Sequence, residues 1–153
     1  MKKVSTLFLL FSLSAAVLLS CKSEAKSPVQ PATAQTTVQK QQITQTVSKA
    51  ISAEQFKQAI ESGEVQLVDV RTPREYAQSH IDGAINVNFA SPAFVDDMIK
   101  AGIDKEKPLY IYCLSGARSA AARRKLAAAG FKEVYDMRGG VRSWYQKGYK
   151  LVK

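Results

Sequence analysis

The sequence predicts an α/β domain built on a mainly parallel sheet with helices on both faces. Three observations carry this. Short runs of β-branched and aromatic residues alternate with stretches of helix formers, the order expected of a parallel sheet with crossover helices. Two capping-box signatures, Ser52-Ala53-Glu54-Gln55 and Thr72-Pro73-Arg74-Glu75, mark helix starts. Glycines stand where most of the helix-forming stretches end. In sheets of this kind ligands bind outside the carboxyl ends of the strands. Cys113 stands at one such end.

The elements follow in order. The first capping box opens a helix over "AEQFKQAIES" that Gly63 stops. "VQLVDV" (65–70) is a strand. The second capping box, with proline at the first helical position, opens a short helix that runs out near His80. "GAINVNF" (83–89) is the next strand. Ser91-Pro92 starts a helix through Lys100, ended by Gly102. "PLYIYC" (108–113) is a strand opened by its proline. Residues 119–129 are helical, with Gly130 just beyond. "EVYDM" (133–137) is a strand, Gly139-Gly140 a turn, and a last helix surrounds Trp144.

The chain has 153 residues, but its first part belongs to no domain core. Lys2 and Lys3 precede an apolar run, "VSTLFLLFSLSAAVLLS", too short for an ordinary transmembrane helix and suited to a signal peptide. It ends "LLSC", which resembles a bacterial lipobox. Residues 1–20 are therefore expected to be a lipoprotein signal peptide and Cys21 the lipidated N-terminus. Acyl chains there would anchor the protein, since each buried methylene contributes about 0.8 kcal/mol. Residues 21–48 carry Ser, Thr, Gln, Ala, Lys and Pro with no sustained hydrophobic period. They read as a flexible tether with a reach of roughly 30 Å. Lys22 lacks the acidic character associated with inner-membrane retention in some bacteria. The expected location is the outer membrane, on its periplasmic side or at the cell surface. Contact with the membrane is expected through the lipid anchor alone.

Residues 49–153 are expected to form one monomeric domain. It carries 17 basic and 12 acidic residues, a formal charge of +5. Its one basic cluster, "ARRK" at 122–125, has no interleaved aromatics, which excludes a nucleic-acid-binding signature. The chain has one histidine and two cysteines, so a zinc site of His and Cys ligands is excluded, and neither metal nor cofactor is expected. With Cys21 consumed by lipid, Cys113 is the only thiol in an oxidising compartment and has no disulfide partner.

The stretch "CLSGARS", Cys113 to Ser119, can activate that thiol. A thiol reacts as thiolate, and an ordinary pKa of about 8.5 leaves little thiolate at neutral pH. The N-terminus of the following helix and the Arg118 guanidinium both favour the anion. Gly116 lets successive N–H groups turn inward as an anion nest. The absence of Cys-x-x-Cys disfavours a dithiol oxidoreductase.

"LVDVRTPREYAQSHIDGAINVN" (67–88) resembles the first half of the rhodanese domain: Asp-x-Arg, Glu-Tyr, then His-Ile-x-Gly-Ala-x-Asn. "YIYCLSGARSAAARRKLAAAGFKEVYDMRGGVRSW" is similar to its second half, with Cys-x-x-Gly-x-Arg-Ser and the closing Gly-Gly and Trp. Ser79 and Asp82 depart from the pattern, away from the loop. The resemblance implies a rhodanese-like, doubly wound fold with a five-stranded, mostly parallel sheet. It implies sulfur transfer from thiosulfate or a persulfide donor to a thiol or cyanide. Cys113 would carry the persulfide, held by the loop residues Leu114, Ser115, Gly116, Ala117, Arg118 and Ser119. The partners so implied are a small anionic sulfur donor and a thiol or cyanide acceptor. Asp69 and Arg71 resemble the family's internal ion pair, with Arg71 adding positive charge at the site mouth. His80 is expected to fix a turn and Trp144 to lie in the core. Arg138 and Arg142 flank the Gly-Gly turn near the substrate approach. Two other readings stay open: a non-catalytic persulfide carrier or binding module, and, more remotely, a phosphatase or arsenate reductase. Those last enzymes use a Cys-x5-Arg loop; the spacing here is one residue shorter.

Overall fold

The computed structural model describes residues 46–153. The expected signal peptide, the expected lipidation site at Cys21 and the expected tether up to residue 45 lie outside the described residues. A five-stranded sheet in the order β1-β5-β4-β2-β3 organises the domain, and every strand pair in it is parallel. The strands are β1 (Val47–Ile51), β2 (Gln66–Asp69), β3 (Ile85–Asn86), β4 (Leu109–Tyr112) and β5 (Glu133–Met137). The helices are α1 (Ala53–Ser62), α2 (Pro73–Gln78), α3 (Phe94–Lys100), α4 (Ala117–Ala128) and α5 (Gly140–Gln146).

Alternation along the strands divides the core into two layers. Val68 and Val70, Leu109, Ile111 and Cys113, and Val134 pack with Phe94 and Met98 of α3 and with Ala122 and Leu126 of α4. On the opposite face Leu67, Tyr112 and Met137 pack with Phe56 of α1 and with Val141 and Trp144 of α5. The fold is thus the five-stranded parallel α/β sheet with helices on both faces that the sequence implied.

Both capping boxes form as the sequence specifies. Ser52 and Gln55 exchange hydrogen bonds at α1, and Thr72 and Glu75 do so at α2, where Pro73 opens the helix. Three boundaries need correction. The tether expected through residue 48 gives way to strand at Val47, because Val47–Ile51 pairs in full register with Glu133–Met137. Residue pattern alone offered four strands; β1 is the fifth. The strand expected over 83–89 shrinks to Ile85–Asn86, since Gly83 turns at φ +76° and only two residues meet β2. The helix expected from Ser91 begins at Phe94, because Ser91 Oγ first accepts from the Ala93 N–H in a local turn.

Candidate active site

β4 lies in the middle of the sheet, between β5 and β2, and Cys113 follows its last residue. The cysteine is free and 1% exposed. The chain then turns through Gly116, whose φ of +94° lies in the left-handed region, into α4. Gly116 has no side chain to cap the helix, so the first-turn amides stay available. The Gly116 N–H donates to Cys113 Sγ at 3.1 Å. Burial by itself pushes the Cys113 thiol up. Hydrogen bonds from the Ser119 N–H and hydroxyl and from the Ser115 and Gly116 N–H groups outweigh it and hold the thiol below its ordinary value. In this structure the single Ser119 hydroxyl proton donates to the Gly116 carbonyl at 3.2 Å. Redirected to the sulfur, the same proton would hydrogen-bond a thiolate instead.

The loop's carbonyls are turned the other way. The Val141 N–H donates to the Cys113 carbonyl at 2.8 Å, and the Arg142 N–H to the Leu114 carbonyl at 3.1 Å. The first turn of α5 thus holds the outer face of the loop. Gly140 makes this approach feasible: a Cβ there would lie 2.3 Å from the Cys113 carbonyl oxygen and 2.7 Å from the Leu114 carbonyl carbon. Leu114 is half-buried, Ser115 and Ala117 are exposed, and Ser119 is buried.

Arg118 is not the free cation expected beside the sulfur. Its guanidinium forks onto Glu75, with bonds of 2.8 Å and 2.6 Å to the two carboxylate oxygens. Glu75 also accepts from the Thr72 N–H and hydroxyl, so the cap of α2 clamps the active-site loop. The Arg118 hydrogen bond, aided by Thr72, holds the Glu75 carboxyl at about 2. Coupling of Arg118 to Cys113 is present but subordinate to its pairing with Glu75.

Arg71 does not bring charge to the site mouth. It is 4% exposed, forks onto the fully buried Asp69, and donates to the Ser79 carbonyl at 2.6 Å. Its charge is spent inside, tying the end of β2 to the end of α2. His80 fixes a turn: its Nδ1 lies 3.1 Å from the Tyr76 carbonyl, its ring stacks on Tyr76, and its backbone pairs with Val152. Trp144 is core, with Nε1–H donating to the Lys150 carbonyl at 2.9 Å. Arg138 is exposed and donates to the Ala50 carbonyl on β1, directed away from β4. Arg142 is exposed beside the loop.

Sequence reasoning missed two site residues. Glu75 was visible only as a capping glutamate; its bond to Arg118 spans 43 positions, beyond any local pattern. Gly140 was visible as a turn glycine, and the Gly-Gly pair was the one available signal. The buried pair Arg123–Asp136, which fastens α4 to β5, also went unnoticed.

A parallel sheet with a nearly buried cysteine at the end of its central strand, its sulfur accepting a backbone N–H from the loop that opens the next helix, defines a class of single-cysteine α/β domains. The chain belongs to the rhodanese-like family, whose model matches residues 52–147. Among its relatives, the thiosulfate sulfurtransferase GlpE of Shewanella oneidensis is 34% identical over 99 residues, 64% of this chain and 93% of that protein. A sulfurtransferase of Allochromatium vinosum is 35% identical over 103 residues, 67% of this chain and 92% of that protein. Among solved structures, the polysulfide-sulfur transferase homodimer of Wolinella succinogenes superposes with a TM-score of 0.57 at 28% identity, covering 70% of this chain and 78% of that one.

Proposed function

We propose that the protein is a sulfurtransferase that moves a sulfane sulfur from thiosulfate or a persulfide donor to a thiol or cyanide through a Cys113 persulfide. The carrying observation is the nearly buried Cys113 at the end of β4, whose Sγ accepts the Gly116 N–H at 3.1 Å. In the first step the Cys113 thiolate attacks the outer sulfur of thiosulfate. The new S–S bond forms as the old one breaks, and sulfite leaves with the bonding pair. The persulfide anion then rests against the loop amides, which act as fixed dipoles at the point where negative charge sits. In the second step the acceptor attacks the outer sulfur, and the Cys113 thiolate departs. This is covalent catalysis in two displacements, with no net change in oxidation state across the pair. Oxyanion hydrolysis is the weaker reading, because the arginine that would grip a tetrahedral anion is held by Glu75.

Thiosulfate treatment is expected to add about 32 Da to the Cys113 peptide, one sulfur on the oxidation ladder of cysteine, and Cys113→Ser to abolish it. A reduced but unmodified wild-type cysteine would overturn the reading. Turnover of thiosulfate with cyanide, without any partner protein, separates an enzyme from a persulfide carrier. On the same reading the domain is a monomer tethered by lipidated Cys21 to the outer membrane, facing the periplasm or the surface. Cys21→Ala is expected to release the protein from the membrane fraction or block its processing; a variant that stays bound through carbonate washing would refute the anchor.

A further inference from the structure

We infer that the cleft between α1 and the C-terminal segment is a second binding site, for a small organic ammonium compound with an apolar body. The site stands apart from Cys113 and does not depend on the sulfur-transfer reading.

The sheet places it. Every strand pair is parallel, so the amino ends of the strands share one edge and Cys113 lies at the other. The cleft has a volume of about 650 Å³. Gly63 and Glu64, which lead into β2, and Asp82 and Gly83, which lead into β3, form part of its rim, and it takes no residue from the loop 113–119. Its wall is Ile60 of α1, Leu67 of β2, Ile81, and the rings of Trp144 and Tyr149. That wall is built before any ligand arrives. The Trp144 Nε1–H donates to the Lys150 carbonyl at 2.9 Å, the Tyr149 N–H donates to the Trp144 carbonyl at 3.3 Å, and Val152 pairs with His80. These bonds fix the C-terminal segment against α5 and the end of α2. A preformed cleft of this size, with an apolar and aromatic wall and few polar groups, suits a small molecule.

Charge sets the chemistry of the ligand. Lys57 is already committed: it pairs with Glu61 and lies 5.5 Å from the centroid of the Tyr149 ring. The side chains of Glu64, Asp82 and Lys150 enter no ion pair or hydrogen bond among the described residues. Three carboxylates and two ammonium groups therefore line the cleft, an acidic excess in a domain with 17 basic and 12 acidic residues. That excess favours a cation. A metal ion does not fit, because no metal-holding group of three His, Cys, Asp or Glu side chains occurs among the described residues. An ammonium group does fit, because carboxylates and aromatic rings both attract it, and Lys57 over Tyr149 shows this wall accepting one. The apolar body of the ligand would lie on Leu67, Ile81 and Trp144.

Trp144 is the only tryptophan of the chain, so a single indole N–H resonance reports on the cleft. The isotope-labelled full chain is titrated with phenethylammonium and with hydrocinnamate, which share an apolar body and differ in charge. Phenethylammonium is expected to move the indole resonance saturably, with a dissociation constant of about 1 mM or tighter, and hydrocinnamate to bind roughly tenfold more weakly. Glu64 and Asp82 are exposed, so Glu64→Gln/Asp82→Asn keeps the fold, and the preference for the cation is expected to disappear. An unmoved indole resonance, equal affinity for the two compounds, or a double variant that keeps the preference would each overturn the inference. Shifts confined to residues 113–119 would do so as well, by placing the compound at the active site. A concentration-dependent dimer that phenethylammonium disperses would make the cleft an interface between copies and would also overturn it.

Discussion

The sulfur of Cys113 is set against two opposed effects of equal origin, its burial and its hydrogen bonds. Burial disfavours the anion, yet the loop donors around the sulfur are fixed in place and outweigh it. Ser119 offers two donors to a thiolate, its N–H and, once turned from the Gly116 carbonyl, its hydroxyl. Ser119→Ala keeps the first and removes the second. A hydrogen bond to a charged group contributes about 1.5–3 kcal/mol, so alkylation by iodoacetamide near neutral pH is expected to slow roughly tenfold or more. Rates measured from pH 5 to 10 are expected to converge at high pH, where both thiols are ionised. An unchanged profile would assign the activation to the backbone alone. This part of the site was legible in advance, because Cys-x-x-Gly-x-Arg-Ser between a strand and a helix is a local pattern. The role of Arg118 was misread for a physical reason: position in sequence shows that a cation is near, not whether an anion has already claimed it.

Helices α2 and α5 act here as clamps rather than as packing elements. The Arg118–Glu75 fork ties α4 to α2, and its pH dependence follows from the depressed Glu75 carboxyl. A carboxyl held at about 2 in the fold and near 4.5 when free stabilises the protein fully above the unfolded value. That stabilisation is lost as pH falls through about 2. Arg118→Ala is therefore expected to lower stability near pH 7 by about 1–2 kcal/mol, reduced from the full shift by partial exposure, and the deficit is expected to vanish toward pH 2. Denaturant unfolding at several pH values measures both. Glu75→Gln separates positioning from charge. It would free the Arg118 cation, so activity would rise if the cation itself activated Cys113; loss of thiosulfate turnover is the expected result, because the loop is released. On the other side, Gly140→Ala would drive a methyl group into the Cys113 carbonyl at a φ of +58°. A cost of about 1–3 kcal/mol and a fall in turnover of at least tenfold are expected, with the loss larger in kcat than in the melting temperature. The capping boxes that begin α1 and α2 were readable to the residue, since both partners lie three positions apart. The clamps were not, since they join segments that meet only once the sheet is assembled.

At the scale of the whole molecule the least legible element is the one that closes the sheet. "VSKAI" follows a polar stretch, has three exposed positions, one half-buried and one buried, and carries no turn signal before it, so it reads as the end of a tether. Its strand character comes from β5, against which all five residues pair in register. Beyond those backbone bonds, β1 buries Ile51 and receives three contacts from elsewhere. The Arg138 N–H donates to the Ile51 carbonyl at 2.9 Å, the Arg138 guanidinium to the Ala50 carbonyl at 3.0 Å, and Arg123 to Ser48 Oγ at 2.8 Å. Arg123 is also the partner of buried Asp136, so β1 helps to hold the one ion pair that fixes α4 to β5. Removing β1 would uncover the edge of β5 and leave a row of unpaired backbone groups open to association. Losing the Ile51 contact alone costs about 1.5–3 kcal/mol, a large share of the stability of a domain this size. A chain beginning at residue 46 is therefore expected to unfold in one cooperative transition, while one beginning at residue 52 is expected to aggregate or to melt at least 10 °C lower. Circular dichroism melts and sedimentation of the two chains make the comparison. Equal melting temperatures and monomeric behaviour would place β1 outside the folding unit.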